Sequence, residues 1–442
     1  MSRTAFRSLL IAALFSLAAL PALADSHVRI VRLSSIDGTV KVDKGTGQFE
    51  KAIVNLPITQ GMKLRTGDDG RVEVEFEDGS TLRLTPGTAV RFDELSLRDS
   101  GTKVSHVELS KGTLYAESTG GRDSELTLQF GQEKVILPRG AHVRLGADER
   151  GAALAVFKGD LNVDGPSGEI AVSKKQTADF DFSANDRFTL AKKVQQEPED
   201  DWDKEQDQYH QRYASNSYNS YSPYAYGSTD LAYYGNFFNA PGYGMMWQPY
   251  FVGAGWDPFM DGAWAFTPGF GFGWVSAYPW GWTPYHYGSW AFVPGFGWAW
   301  QPGGVWMPFY GQPVVLNAPA GFVAPRAPAS GMGTVIVNRG PTSSLTAMSG
   351  GKMVIRNNSA GLGIPRGQFD NLGKLSQKVQ SHGMVTEHVA MPVGRSEPMS
   401  ARGGAARSRA SEGARSEPRT STPPMSAPSM SAPSGSPGHS HK

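Results

Sequence analysis

The sequence feature that most restricts the fold is a motif that recurs three times between residues 230 and 313. Pro-Gly-aromatic-Gly occurs at residues 241–244, 268–271 and 294–297, so successive copies are 27 and 26 residues apart. Ten of the eleven tryptophans lie between Trp247 and Trp306, in or beside these copies. Repetition at a fixed period is typical of small units that become stable only by packing on their neighbours.

The residues of each unit predict a β-hairpin. Trp264 and Phe266 flank an alanine before the second Pro-Gly pair, and Trp290 and Phe292 do the same before the third. Proline presets φ for a turn, and glycine accepts the left-handed region that the next position requires. A single hairpin is only marginally stable, whereas each large ring can bury about 150–250 Å². We therefore predict three hairpins that share an aromatic core with few aliphatic residues.

Residues 25–190 have the pattern of an all-β domain. Apolar and polar residues alternate on both sides of Asp78-Gly79, and such a step between alternating runs is a strong hairpin signal. We place Glu73, Glu75 and Glu77 on the solvent face of this hairpin. Turn sequences recur about every ten residues, which favours a sandwich or roll of short strands. Further strands are predicted at 28–33, 39–42, 104–109, 126–130, 142–145, 153–157 and 161–163.

Motifs that follow one another in this domain resemble the FecR domain. They are Gly38-Thr39-Val40, Leu64-Arg65-Thr66-Gly67, Phe76-Glu77-Asp78-Gly79-Ser80, Pro86-Gly87-Thr88, Gly112-Thr113-Leu114 and Val156-Phe157-Lys158-Gly159-Asp160-Leu161. The resemblance implies the FecR fold and an extracytoplasmic binding role. Prototype FecR proteins are membrane-anchored sensors that relay a signal from an outer-membrane receptor to a cytoplasmic sigma factor. We expect this chain not to contact a cytoplasmic factor, because it shows neither a cytoplasmic N-terminal domain nor a retained membrane helix.

A second resemblance lies in the repeats. The sequences WGWTPYHYGSW at 280–290 and PGFGWAWQPG at 294–303 are similar to the family DUF6600. Members of this family often follow a FecR domain in exported bacterial proteins, and their function is unknown. The resemblance therefore implies the order of the domains and supplies no chemistry.

The first 24 residues predict a cleaved signal peptide. Arg3 and Arg7 precede an apolar run at 8–20, and small residues precede the expected cleavage between Ala24 and Asp25. We expect a periplasmic or secreted protein that has no integral membrane span after removal of this segment. The chain has no cysteine, so it relies on burial or on a partner rather than on disulfides.

The remaining segments read as partly or wholly unstructured. Residues 191–229 predict an acidic and tyrosine-rich solvated linker, since 196–208 hold seven carboxylates and one lysine. A calcium-binding EF-hand loop is excluded there, because Gln206 replaces its glycine and Arg212 its bidentate glutamate. Residues 314–393 predict a basic extension with strands at 334–337 and 353–356 and a helix at 371–379. Residues 394–442 predict a disordered tail rich in Ser, Pro and Arg.

The sequence favours binding over catalysis. It lacks the Gly-x-Ser-x-Gly, phosphate-loop and His-Glu-x-x-His motifs, and it suggests no enzyme, cofactor or metal site. Our leading interpretation is an extracytoplasmic binding or scaffold protein whose FecR-like domain recognises an envelope protein, in sensing or signalling. The alternative is a cell-wall or polysaccharide-binding protein that uses its aromatic repeats. Because we expect the chain to be exported, we expect no nucleic-acid partner.

Six residues of the repeats are candidates for ligand or partner contact, because exposed aromatic rings pack well on sugars and on protein surfaces. They are Trp280, Trp282, Tyr285, His286, Tyr287 and Trp290. The same rings can instead fill a core by packing on one another, and the sequence leaves both roles open.

Overall fold

The computed structural model describes residues 29–184, 187–214, 221–309, 314–338 and 351–389. The predicted cleavage site at Ala24 and Asp25 and the predicted tail at 394–442 lie outside these ranges. Strands make up 44% of the structure and helices 12%, so the prediction of an all-β protein is confirmed.

The described residues up to Ala191 form seventeen strands and a short 3-10 helix at Phe182–Ala184. The strands are β1 (Val31–Asp37), β2 (Val40–Asp43), β3 (Phe49–Lys51), β4 (Pro57–Ile58), β5 (Lys63–Thr66), β6 (Arg71–Glu75), β7 (Thr81–Leu84), β8 (Ala89–Leu97), β9 (Lys103–Glu117), β10 (Ser124–Phe130), β11 (Glu133–Ile136), β12 (His142–Ala147), β13 (Gly151–Lys158), β14 (Leu161–Gly165), β15 (Gly168–Val172), β16 (Thr177–Asp181) and β17 (Arg187–Ala191).

These strands form a sandwich of two layers that share the long strand β9. One layer, which we call sheet I, has the order β4-β1-β6-β7-β9-β12-β13-β16-β17. The other, sheet II, has the order β3-β2-β5-β8-β9-β10-β11-β14-β15. Aliphatic side chains such as Val74, Leu64 and Leu114 fill the space between the layers and are fully buried. The predicted sandwich of short strands is therefore confirmed.

The hairpin predicted around Asp78-Gly79 is formed by β6 and β7. Val72 lies opposite Leu84 and Val74 opposite Leu82, and Gly79 has a φ of 87° at the turn. The alternation in the sequence fixes this register, because a slip of one residue would turn the apolar side chains out of the core.

The repeats form three hairpins, as predicted. Their strands are β18 (Gly235–Ala240), β19 (Gly244–Pro249), β20 (Gly262–Thr267), β21 (Gly271–Ser276), β22 (Ser289–Val293) and β23 (Gly297–Gln301). Equivalent aromatic residues are paired across them: Phe237 with Trp247, Trp264 with Trp274, and Trp290 with Trp300. In each turn the glycine after proline has a φ near 80°, which is the conformation that the Pro-Gly motif favours.

The first and third hairpins belong to one five-stranded sheet with β24 (Val315–Leu316), whereas the second pairs with β25 (Val335–Val337). Tryptophan rings from all three hairpins form the core, together with tyrosine rings such as Tyr278 and Tyr285 from the segment between the second and third hairpins. A one-turn helix, Thr283–His286, follows the second hairpin. Three further elements add aliphatic side chains to the core: β26 (Lys352–Arg356), β27 (Met384–His388) and a helix at Leu372–His382. The strands and helix predicted in this extension are thus present.

The prediction of a solvated linker is wrong for the described residues of 191–229. Asp200–Tyr213 is an α-helix, which we call α1, and a second helix, α2, begins at Ser228 and ends at Tyr234. Asp203 and Tyr209 of α1 are buried. Five of the seven carboxylates are paired with arginines far away in the sequence, which the local pattern does not show: Glu197, Glu199, Asp200, Asp203 and Asp207. Among the described residues, the structure contains no helix with the length and apolar character of a membrane span.

Candidate functional site

The outer face of sheet I carries charged side chains that are covered by the rest of the chain. Glu73, Glu75 and Glu77 are only 0%, 2% and 6% exposed, so their placement on a solvent face is wrong. Neighbouring strands present opposite charges there: Arg32 lies opposite Glu75, and Glu73 lies opposite Arg83. The alternating pattern correctly predicts two faces, but both faces are buried.

Helix α1 lies on this face and provides acids at helical spacing. Asp200, Asp203, Asp207 and His210 are separated by three or four residues, which puts them on one side of the helix. The guanidinium of Arg83 donates through Nη1 to Asp203 at 2.7 Å and to Asp207 at 2.6 Å. Acids in the first turn also interact favourably with the helix dipole.

The N-terminal end of α1 is held by two further arginines. Arg71 forms a two-pronged ion pair with Glu199, at 2.6 and 2.8 Å. Arg144 donates to Asp200 at 2.6 Å, and the hydroxyl of Tyr115 donates to the same carboxylate at 2.7 Å. Paired N–H donors of this kind fix orientation as well as distance.

Glu73 is the centre of the network. Its carboxylate accepts from Arg83 at 2.9 Å, from Arg366 at 2.7 Å and from the Ser34 hydroxyl at 2.8 Å, and the His210 ring lies 3.0 Å away. Burial on its own would raise the pKa of Glu73, but His210, Arg366 and Arg83 hold that pKa well below its usual value. The carboxylate is therefore ionised at neutral pH and fully compensated.

Asp230 on α2 is a second buried carboxylate of this network. It lies 2.6 Å from Arg32 and 2.7 Å from Arg366, and the Tyr209 hydroxyl donates to it at 2.7 Å. Burial opposes ionisation of Asp230, yet Arg366 and Arg32 lower its pKa. Arg366 thus bridges sheet I and α2 through two buried carboxylates.

Two residues of the sandwich also bind the backbone of the repeats directly. Arg32 donates to the carbonyl of Pro279 at 2.6 Å. Asn55, which has a φ of 61°, donates through Nδ2 to the carbonyls of Ser276 and Tyr278 at 3.1 and 2.8 Å. These bonds fix the segment after β21 to the edge of sheet I.

One group of side chains has a composition suited to a metal. Ligand atoms of His142, Asp203 and Asp207 lie within 4.8 Å of one another. Arg83 already binds one oxygen of each aspartate, and its positive charge disfavours a cation at the same place. The group is therefore best described as a part of the ion-pair network.

Of the six aromatic candidates, the structure buries Trp280, Trp282, Tyr285, His286 and Trp290, while Tyr287 is half-buried. Trp280 stacks on Tyr278 with ring centroids 5.0 Å apart and donates to the Ala360 carbonyl at 2.7 Å. This arrangement gives the rings a packing role. Their use as a binding site stays a prediction.

His286 lies within the same core. Its Nδ1 is 2.7 Å from the Met307 carbonyl, and its ring is 4.1 Å from that of Trp282. Burial lowers the pKa of His286 to about 4, so the ring is neutral at neutral pH and Nδ1–H donates to the carbonyl.

Comparison with known proteins agrees with the two resemblances. Residues 62–162 match the FecR protein family, and residues 228–325 match DUF6600, a family of unknown function. The chain carries a FecR match followed by a DUF6600 match. We call the whole β-sandwich, which contains the first match, the FecR region, and residues 228–325 the DUF6600 region. No curated protein matches the sequence.

Solved structures similar to a part of this chain include two of a proposed anti-sigma factor from Parabacteroides distasonis ATCC 8503. They are 17% and 16% identical, with a TM-score of 0.26 in both cases. The similarity covers 30% of this chain and 59% of theirs, so the match spans less than two thirds of those proteins.

Sequence reasoning missed the network that joins the FecR and DUF6600 regions. A signal for α1 was present in the spacing of Asp200, Asp203, Asp207 and His210, which fits a helix better than a linker. Asp230 and Arg366 carried no comparable signal, because each is a single charge within an apolar or glycine-rich stretch.

Proposed function

We propose that this chain is an exported, extracytoplasmic binding protein whose signal peptide is cleaved between Ala24 and Asp25. Its FecR region recognises a protein partner in envelope sensing or signalling. FecR proteins are associated with the cell envelope, which supports this assignment. The DUF6600 region serves as a rigid support for the FecR region rather than as a separate binding module.

The observation that carries the proposal is the buried ion-pair network. It covers the outer face of sheet I with the chain's own helices, through Glu73, Arg83 and Asp230 among others. Positions on the outer face of sheet II, such as Lys41, Arg65 and Lys134, are exposed and available to a partner. Because the buried carboxylates are each paired with arginine, they favour a structural role over proton transfer to a substrate.

Site-specific photo-crosslinking in cells tests this proposal. A photoreactive amino acid is introduced at Lys63, Ile136 or Leu190, all exposed positions of the FecR region, and at Val305 of the DUF6600 region as a control. We expect a discrete adduct with one envelope protein from at least one FecR position and none from Val305. Adducts from Val305 alone, or from no position, would contradict the proposal.

A further inference from the structure

The outer face of sheet II carries cations that lie directly opposite one another. Lys41 on β2 is paired with Lys51 on β3 and with Arg65 on β5, which gives a row of three positive charges across three strands. All three side chains are exposed, while Val40, Val42 and Leu64 between them point into the sandwich core. We call Lys51, Lys41 and Arg65 the cationic row. Lys63, also exposed, belongs to the next pair of residues, where it lies opposite the buried Asp43.

No carboxylate neutralises the cationic row within the part of the chain that the structure describes. The ion pairs nearby belong to other residues: Lys44 with Glu50 at 2.6 Å, and Arg91 with Glu108 at 2.8 Å. Like charges directly opposite on neighbouring strands destabilise a sheet. On sheet I of the same domain, by contrast, Arg32 and Arg83 are each paired with acids.

The row is also partly ordered before anything binds to it. The Arg65 guanidinium lies 4.2 Å from the centroid of the Phe49 ring, which holds it over the strands. A side chain held in this way loses less conformational entropy when it forms an ion pair.

We propose that the cationic row binds an acidic segment of a protein partner, through ion pairs with Asp or Glu side chains. This inference rests on the proposed function and names the surface of the FecR region that would be used. Charge complementarity supports it, since the row lacks internal counter-charges.

The surroundings of the row favour a narrow acidic segment over an anionic membrane. The neighbouring carboxylates are already compensated, since Glu50 is paired with Lys44, and both Asp93 and Glu108 are paired with Arg91. The uncompensated positive charge is therefore confined to the row, where a short segment can meet it and a broad anionic surface gains little.

Binding of a fluorescein-labelled peptide of consecutive glutamates to the exported chain tests the inference by fluorescence anisotropy. We expect saturable binding that weakens strongly between about 50 mM and about 500 mM salt, because exposed charges are screened. The variant Lys41→Glu/Arg65→Glu should weaken binding about tenfold or more, since two attractions are lost and two repulsions are added.

A variant with the same change in net charge serves as the control. Lys192→Glu/Lys193→Glu alters two exposed lysines away from sheet II and should leave peptide binding within about twofold of the unaltered chain. Thermal denaturation establishes that both variants are folded. Equal weakening by the two variants, or no binding of the peptide, overturns the inference.

Two further outcomes show whether a failure concerns the cationic row alone or the proposed function as well. If phosphatidylglycerol vesicles bind through Lys41 and Arg65 and the peptide does not, the surface recognises lipid and the inference is overturned. If Lys41→Glu/Arg65→Glu still forms the envelope-protein adduct from another FecR position at an undiminished level, the inference fails while the proposed function stands.

Discussion

Glu73 and Arg366 are 293 residues apart in the chain, and their carboxylate and guanidinium are 2.7 Å apart in the fold. The same guanidinium donates to the Ser34 carbonyl at 2.8 Å and to Asp230 at 2.7 Å. One side chain from the C-terminal extension thus completes a site made by the sandwich and α2. The stability of the FecR region is therefore coupled to that of the segments that follow it.

Glu73→Gln should destabilise the protein strongly. Removing one partner of a buried ion pair leaves charge uncompensated and costs about 3–5 kcal/mol. Here Arg83 and Arg366 would both lose a carboxylate. Urea denaturation measures the change in the free energy of unfolding. Glu125→Gln, which affects a pair with the half-exposed Arg98, should cost at most about 1 kcal/mol. Similar values for the two variants would argue against the network.

Asn55→Asp should loosen the attachment of the second hairpin. The change removes both donors to the carbonyls of Ser276 and Tyr278, and each buried group left unpaired costs about 1–3 kcal/mol. Hydrogen–deuterium exchange should become faster in peptides that cover residues 262–282. Asn162→Asp, at an exposed position on β14, is the matched control and should leave that exchange unchanged.

Stability should fall as the pH rises above neutrality. Burial alone lowers the pKa of His210, but Glu73 and Glu75 outweigh it, so the folded-state pKa is raised. The stabilisation from a raised histidine pKa is complete below about pH 6.5 and is lost as the pH rises through the folded pKa. Burial and then Asp207 raise the pKa of Glu117 to about 7, which acts in the same direction.

Urea midpoints at about pH 6 and about pH 9 measure this effect. His210→Gln keeps a donor near Glu73 but cannot carry a proton charge, so the difference between the two midpoints should shrink. An unchanged difference in this variant would exclude His210 as a contributor. At acid pH the dependence is reversed, and stability should fall as the pH falls. Because the pKa of Glu73 is lowered in the folded state, the stabilisation that its ionised carboxylate provides is lost as the pH falls below about 4.5.

Trp290→Ala should destabilise the DUF6600 region by about 3–5 kcal/mol, the usual cost of removing a large buried ring. Phe296→Ala removes a hairpin-tip ring that is 47% exposed and should cost less than about 1.5 kcal/mol. Thermal denaturation distinguishes the two variants, and equal losses would contradict the packing role of Trp290.

The alternative of glycan binding is tested by sedimentation with peptidoglycan. Binding that survives Trp282→Ala/Trp290→Ala would eliminate these rings as the site. Because both rings are buried, a loss of binding is informative only if the variant remains folded by thermal denaturation. Because Phe270 and Phe296 are exposed, alanine variants at these positions test glycan binding without removing a ring from the core.

The sequence by itself determined the local elements. Alternation around Asp78-Gly79 defined β6 and β7, and the Pro-Gly motifs at 241, 268 and 294 defined the three hairpins with their aromatic pairs. These features depend on contacts between residues close in the chain, so their period and turn chemistry are visible in one sequence. The two family resemblances follow from the same local motifs.

Only the tertiary structure decided what covers each face. Glu73 and Lys41 are both charged residues that stand between apolar neighbours on a strand, yet one is fully buried and the other exposed. The difference arises because Arg366 and α1 return to sheet I, where Arg83, Asp203 and Asp207 offset the cost of burying charge. Such pairings span more than a hundred residues, and no periodicity in the sequence specifies them.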